Sequence, residues 1–551
     1  MTEPPAKHRN PASNGWAEFA FLPLIMLAAA GLRIHGADFG LPALNDPDEP
    51  LFMMMAFDML RNQSLNPGWF GHPGTITLYS LALVCLAVGG FGLLTGRFAG
   101  IEDFATAVYA DPGIVFLPAR LFIVACGVAC VFLTYRIGTR LGDKRLGLAA
   151  AALLAVNAVH IEYSQIIRTD MQASVFMLLC TLCAIGIARD GKRRDYILAG
   201  VFVGLAAATK WPAALIAISP GIASLWRISH GRKELRWLVA SGLCAVAALF
   251  IASPYLLLDY QTVLRDLAGE ARPIHPSATG NGFLANLAWY ASNPLAHSIG
   301  IAGLVLAVPG LVWASFRDRT WATVILPGFL LFLIVICAQK LLWARWIVPL
   351  LPFFALGMAY ALCALGDCLR SLAGNKARFF APFALILLML PMIQASRVAA
   401  TERTNDTRQI ASAWIRGHAP AGSTVLVEDA AIDLLHDGTR LLFPLGAEGC
   451  IDAKRILTGR IKYSRVETAR SSSPIVDLGH MDMSLLPSCR ADYAVLTHYE
   501  RYRADPAQFA EELRRYREVM GNARIEAVIR PEPGKSSGPV VHVLTMGQTR
   551  Q

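Results

Sequence analysis

The 551-residue sequence predicts a polytopic α-helical membrane protein of about eleven transmembrane helices, followed by a C-terminal extracytoplasmic α/β domain. Three observations carry that expectation. The chain is 55% hydrophobic and only 16% charged, with a mean hydropathy of +0.45; a soluble chain carries about a quarter charged residues. Apolar runs of membrane-crossing length recur from Trp16 to beyond Phe379. Lys and Arg fall in short clusters between those runs, as they do in cytoplasmic loops. The formal charge of +10 and pI near 9.1 therefore mark membrane topology rather than a nucleic-acid partner. The composition also excludes disorder, collagen and a small disulfide scaffold.

One crossing takes about 17–25 apolar residues. Candidate runs begin near Trp16, Thr75, Ile114, Leu146, Met171, Tyr196, Pro212, Trp237, His297, Trp321, Trp346 and Phe379. The first has no small-residue cleavage site after it and is read as an anchor. Lys7 and Arg9 place the N-terminus inside. If all the runs crossed, every later basic cluster (Arg136–Arg145, Arg189–Arg194, Arg227–Arg236, Arg317/Arg319, Arg370–Arg378) would lie outside. Removing one early crossing places them all inside. The run Thr75–Gly92 is the one to remove, because the acidic, aromatic stretch of Glu102, Asp103, Tyr109 and Asp111 follows it. It reads as a juxtamembrane or re-entrant helix on the outer face, which protein cover permits. The expected localisation is the inner (plasma) membrane, with a cytoplasmic N-terminus and an extracytoplasmic C-terminus.

The expected membrane module spans 1–396, with a first outer loop at 36–113 and a fourth at 255–294. The tail, 397–551, has ordinary soluble composition. Asp406–His418 reads as a helix with Trp414 and Ile415 on its apolar face, and Pro506–Met520 as a second helix. Thr424–Val427, Tyr493–Leu496 and Val540–Leu544 read as strands. Seven of the cysteines (Cys126, Cys130, Cys180, Cys183, Cys244, Cys337, Cys363) sit in apolar runs, where a reduced small hydrophobe is the default reading. Cys450 and Cys489, in the polar tail, would face an oxidising space as a disulfide or as two free thiols.

The first outer loop opens with Asn45-Asp46-Pro47-Asp48-Glu49-Pro50, ahead of an apolar stretch, Leu51–Leu60, that reads as a surface helix. Carboxylates this close to a membrane interface are costly unless solvated, capped or used. Taken alone, helix capping by Asp48 and Glu49 explains the segment best. Other outer-face residues shift the balance: Arg168-Thr169-Asp170 at the start of one span, Lys210 at the end of the next, Lys340 and Arg345 around a later loop, and His72-Pro73 in the first loop. Isolated snorkelling cations are usually structural, but several cations and acids at one depth mark a path or a site. The fourth outer loop, with Asp259-Tyr260, Arg272-Pro273-Ile274-His275-Pro276 and Gly280-Asn281-Gly282, reads as irregular rather than helical. It is either a closing lid or a purely structural loop.

In order and spacing these motifs resemble the GT-C superfamily of polyprenyl-phosphate-sugar glycosyltransferases, in the branch of protein O-mannosyltransferases and the lipid A aminoarabinose transferase. The pieces are the acids of Asp46–Pro50, Phe70-Gly71-His72-Pro73, Ile167–Asp170, Thr209-Lys210 and Arg345-Trp346-Ile347-Val348-Pro349 with Pro352. The likeness covers roughly residues 16–365, with a weaker likeness at Asp406–Pro420. It implies Asp48 as catalytic base, with Glu49 or Asp170 orienting it. It implies Lys210, Arg345, Arg168 and His72 around the donor phosphate. Asp46, Tyr163, Lys340, Arg272 and His275 are candidates on the acceptor and loop side. The aminoarabinose transferases carry Glu-Lys before the loop proline where this chain has Gly71-His72, so their metal is not carried over. His72 stays open as a phosphate contact, a divalent-metal ligand or a structural histidine.

The implied reaction moves a sugar from a polyprenyl phosphate, undecaprenyl phosphate in the bacterial case, to a hydroxyl of a glycolipid, polysaccharide or protein. A phosphate ester already has a good leaving group, so a base and phosphate-holding cations suffice. One-step displacement inverts the anomeric centre; attack by Asp48 itself would retain it. A flippase would instead carry charges near the midplane and paired repeats, neither of which is visible. A non-catalytic accessory subunit would tolerate loss of Asp48. Oligosaccharyltransferases share the superfamily, but the tail has no Trp-Trp-Asp sequence.

Overall fold

The computed structural model describes residues 15–71, 74–231, 234–270, 278–429, 431–446, 448–453, 476–521 and 523–546. The apolar two thirds is a helical bundle. In chain order its helices are α1 (Gly15–Ile34), α2 (Glu49–Arg61), α3 (Thr75–Leu94), α4 (Ile101–Ala110), α5 (Gly113–Leu141), α6 (Lys144–Ala155), α7 (Ala158–Ser164), α8 (Thr169–Arg189) and α9 (Arg193–Thr209). There follow α10 (Ile218–Ser229), α11 (Leu235–Ala252), α12 (Tyr255–Leu258), α13 (Tyr260–Glu270), α14 (Phe283–Tyr290), α15 (Ala296–Arg317), α16 (Leu326–Cys337), α17 (Leu351–Ala373) and α18 (Phe380–Thr404).

Among the described residues, seven helical stretches are long and apolar enough to cross a membrane; the bent pair α6–α7, broken by 66°, makes eight if counted as one. Ala20–Ile34 and Trp321–Cys337 are shorter apolar helices. Several expected runs are subdivided by chain breaks: the one near Pro212 becomes a 3-10 turn, Trp211–Ala217, leading into α10. α3 is unbroken over 20 residues, so the case for keeping it at the surface rests on charge distribution and not on length. The fourth outer loop departs from expectation. α12, α13 and α14 make most of its described part helical, because four of its six Pro and Gly lie between Arg272 and Gly282 and leave most of the flanking segments intact.

Close packing in the bundle depends on small residues. A Cβ on Gly204 of α9 would lie 2.3 Å from the Ala245 carbonyl oxygen of α11, and one on Gly310 of α15 would lie 2.1 Å from the Gly357 carbonyl oxygen of α17. α11 is otherwise almost wholly exposed, as expected of a helix against lipid tails.

The tail begins with α19 (Thr407–His418), capped by Asp406, and forms a six-stranded mixed sheet. Its strands are β1 (Thr424–Val427), β2 (Arg440–Leu445), β3 (Gly449–Asp452), β4 (Tyr493–Leu496), β5 (Ala523–Ile529) and β6 (Val541–Met546), in the order β3-β2-β1-β4-β6-β5. β2, β1 and β4 run parallel; the other pairs are antiparallel. Alternation along β1 sends Val425 and Val427 to a core with Ile415 of α19, and Leu426 to the opposite core. That second core includes Tyr502 of α20 (Tyr499–Arg503) and Tyr516 of α21 (Ala510–Met520). Cys450 and Cys489 are joined as a disulfide.

A buried polar network lies where the parallel strands β1 and β4 end. Glu428 accepts from the Leu478 and Thr497 amides at 3.2 and 3.1 Å and from the Tyr516 hydroxyl. Asp477, fully buried, accepts from His480 Nδ1 at 2.9 Å, His498 Nδ1 at 3.0 Å and the Tyr502 hydroxyl at 2.6 Å. Burial alone would raise the Asp477 pKa, but the His480 and His498 hydrogen bonds outweigh it and hold the carboxyl well below its usual range. Burial would lower His498, yet the Asp477 bond and the Glu428 and Asp477 charges raise it above an ordinary imidazole, against the Arg501 charge. The His498 contribution to stability is complete below about pH 6.5 and is lost as pH rises through the raised value. The Asp477 contribution is present above about pH 4 and is lost as pH falls through the depressed value. Hydrogen exchange on the full-length protein should therefore show the Leu478 and Thr497 amides less protected at about pH 9 than at about pH 6, after correction for intrinsic rates. His498→Asn should flatten that alkaline loss.

Candidate active site

The charged residues singled out in the sequence stand where helices begin or end, because only there does a backbone inside an apolar bundle leave side chains and peptide groups facing a polar space. Asp48 is at the N-cap position of α2, just ahead of Pro50, but its side chain makes no capping hydrogen bond. Arg168 is extended at the N-cap of α8, and Asp170 lies in the first turn of that helix. Lys210 is extended between α9 and the 3-10 turn begun by Trp211-Pro212. Arg345 lies in a second 3-10 turn, Ala344–Leu350, leading into α17.

The fold brings these breaks together. Arg168 clasps both oxygens of Asp46 at 3.0 and 2.9 Å and donates its other terminal nitrogen to Asp48 Oδ2. The Asp48 amide donates to Asp46 Oδ1 at 3.0 Å, tightening the turn. Arg345 lies 3.9 Å from Asp48 Oδ2 and is stacked 4.4 Å over the Trp343 ring. Lys210 and Asp170, both nearly buried, form a direct ion pair. Asp48 is the most open of the group, its side chain 34% exposed, and its Oδ1 accepts no hydrogen bond from a described residue. Tyr163 is within electrostatic reach of Arg168, Arg345 and Asp170. Among the described residues, the buried donors Arg168 Nε, Arg345 Nε, Thr169 Oγ1 and Thr75 Oγ1 have no hydrogen-bond partner. Thr75 opens α3, which is tied to α8 by the Thr77–Gln172 hydrogen bond of 2.7 Å.

Glu49 is not part of this open group. It is fully buried in a two-bond pair with Arg120 of α5, at 2.9 and 2.7 Å, and also accepts the Ile167 amide at 2.9 Å. Arg120 in turn holds the Ala37 and Phe39 carbonyls. Glu49 thus anchors the loop beside Asp48 and contacts the residue preceding Arg168, without facing the acids that it was expected to orient. Lys340 is exposed, and only its backbone is engaged, accepting from the Gly280 amide at 2.7 Å. His72, Arg272 and His275 lie outside the described residues. Among the described residues no group of three or more His, Cys, Asp or Glu is arranged to hold a metal ion; Asp46, Asp48 and Asp170 are each engaged by Arg or Lys.

Arg120 was missed in the sequence although its signal was there: a lone cation inside the apolar stretch Gly113–Tyr135, where an unpaired charge is prohibitively costly. Arg403 was also missed. It bonds the Gln165 side chain, whose amide nitrogen reaches back to the Arg33 and His35 carbonyls. Its place near the end of the last apolar helix looks like ordinary flanking charge.

The full chain superimposes on ArnT from Cupriavidus metallidurans in the apo state with a TM-score of 0.55 at 13% identity, covering 97% of this chain and 98% of that one. It has the fold of ArnT. Residues 103–257, which carry Arg120, Arg168, Asp170 and Lys210, match the family described as dolichyl-phosphate-mannose-protein mannosyltransferase. ArnT bound to undecaprenyl phosphate aligns at TM-score 0.52 and 12% identity, over 98% of this chain and 99% of that one. The fold also matches the archaeal oligosaccharyltransferase AglB from Archaeoglobus fulgidus, in complex with an inhibitory peptide and a dolichol-phosphate. That alignment has a TM-score of 0.50 at 12% identity, over 92% of this chain and 73% of AglB. No curated protein matches the sequence. Within this fold, Glu49→Ala would strand the buried Arg120 charge. It should lower stability by about 3–5 kcal/mol, seen as a reduced melting temperature in detergent.

Proposed function

We propose that this protein is an integral membrane glycosyltransferase that moves a sugar from a polyprenyl-phosphate donor to an acceptor hydroxyl at the outer face of the membrane. The observation that carries the reading is the state of Asp48. It occupies an N-cap position without capping, gives one oxygen to Arg168 beside Arg345, and leaves the other oxygen open. That arrangement suits a base held in place by cations. In the proposed step Asp48 Oδ1 takes the acceptor hydroxyl proton, the acceptor oxygen bonds to the anomeric carbon, and the carbon–phosphate-oxygen bond breaks. The configuration inverts. The departing phosphate takes the charge, and Arg345, the least engaged cation, receives it together with Lys210 and Arg168.

The fold and the family of residues 103–257 support a lipid-phosphate-sugar donor. The undecaprenyl phosphate bound by ArnT favours that carrier. The acceptor is a glycan, lipid or protein. We place 1–396 in the inner membrane, with the N-terminus cytoplasmic, and 397–551 outside. The disulfide is in keeping with an oxidising compartment. A flippase or a non-catalytic subunit is the alternative.

Purified protein incubated with labelled polyprenyl-phosphate sugars and membrane extract should transfer label, and Asp48→Asn should cut the rate by about 10²–10⁴-fold with folding intact. Equal transfer by the variant would remove Asp48 as base, and lipid movement without transfer would favour a flippase. Gly100, whose Cβ position is open, accommodates a cysteine. Gly100→Cys should react with a membrane-impermeant thiol reagent from outside, whereas labelling from the cytosolic side alone would show that Thr75–Gly92 crosses the membrane.

A further inference from the structure

We propose that Gln409, on the tail, is a positioning residue for the site on the membrane module, so that the tail sets the placement of Asp46 and Asp48. The inference rests on the reading of Asp48 as base. Its physical ground is a reciprocal amide pair: Asn45 Nδ2 donates to Gln409 Oε1 and Gln409 Nε2 donates to Asn45 Oδ1, both at 2.8 Å. Two amides facing in this way satisfy each other only in one orientation, so the contact defines position as well as contributing attraction. Asn45 is 6% exposed.

Both members are rigidly supported. Gln409 Nε2 also donates to the Ala431 carbonyl at 2.8 Å. It lies in the first turn of α19, where Asp406 caps the Arg408 amide, and the Arg408 side chain bonds Asp406 and Asp429. The Thr407 amide and hydroxyl are held by the Ser537 and Pro539 carbonyls. On the other side of Asn45, Gly40 comes so close that a Cβ there would lie 2.5 Å from Asn45 Cγ. Asn45 is therefore gripped between the tail and its own loop. The next residue, Asp46, holds Arg168 with two bonds and receives the Asp48 amide. One side-chain contact thus runs from the tail into the turn that carries the base.

Near-attack geometry is sensitive to displacements of about 1 Å, which cost on the order of 10²-fold in rate. Full-length Gln409→Ala in detergent, assayed with labelled undecaprenyl-phosphate sugar and membrane extract, should lose about 10- to 100-fold in turnover. Its donor KM should move by less than roughly threefold, because Lys210 and Arg345 still hold the phosphate and only Arg168 is bonded to the turn. Hydrogen exchange at the Asp48 amide should accelerate while α5 and α8 keep their protection. If Gln409→Ala also loses protection throughout β1, the tail has unfolded; Gln409→Glu, which keeps the volume but cannot donate to Asn45 Oδ1, then supplies the test. Unchanged turnover or unchanged exchange at the Asp48 amide in the folded variant would overturn the proposal. A wild-type protein that transfers sugar from no polyprenyl-phosphate donor would overturn the glycosyltransferase reading instead, and exchange at Asp48 would still decide whether Gln409 holds the turn.

Discussion

The buried pair between Glu49 and Arg120 is the constraint on which the rest of the site depends. Arg120 sits in a long apolar helix with no access to water, so its charge must be matched inside the protein. The match is made by Glu49 and by the Ala37 and Phe39 carbonyls, which pins the chain to α5 on either side of the Asn45–Asp48 turn. Because Glu49 also accepts the Ile167 amide, the same carboxylate fixes the entry to α8. Asp48 and Arg168 are the neighbours of those two anchored residues, and their contact follows from the anchoring.

Around that anchor the charges come as three acids and three cations: Asp46, Asp48 and Asp170 against Arg168, Arg345 and Lys210. A cluster balanced in this way can persist at a membrane interface, whereas an excess of either sign would have to be hydrated or neutralised. The balance leaves Arg345 loosely held and one Asp48 oxygen open. The most deeply buried pair, Lys210 with Asp170, is the least free to rearrange.

Much of this was legible in the chain because the constraints are local. Helices α2 and α19 and strands β1 and β4 follow from periodicity and capping residues; Asp406 caps α19 as its sequence implies. The acids of Asp46–Glu49 and the cations at 168, 210 and 345 stand out because charge amid apolar runs is expensive. What misled was adjacency. Asp48 and Glu49 are neighbours in sequence, yet consecutive residues entering a helix diverge by about 100°, so one faces the open cluster and the other the core. The fourth outer loop misled through composition, since Pro and Gly concentrated at its centre leave α13 and α14 free to form.

By itself the sequence determined a helical membrane protein with an α/β tail, and which charged residues had to be accommodated at chain breaks. Hydropathy and charge are properties of single residues and short windows, and need no partner to be read. The tertiary structure alone decided which acid meets which cation, that Glu49 answers Arg120, and that the tail reaches the first loop through Asn45 and Gln409. Pairings of this kind join residues separated by 71 and 364 positions, and they are selected by the packing of whole helices, which no local pattern encodes.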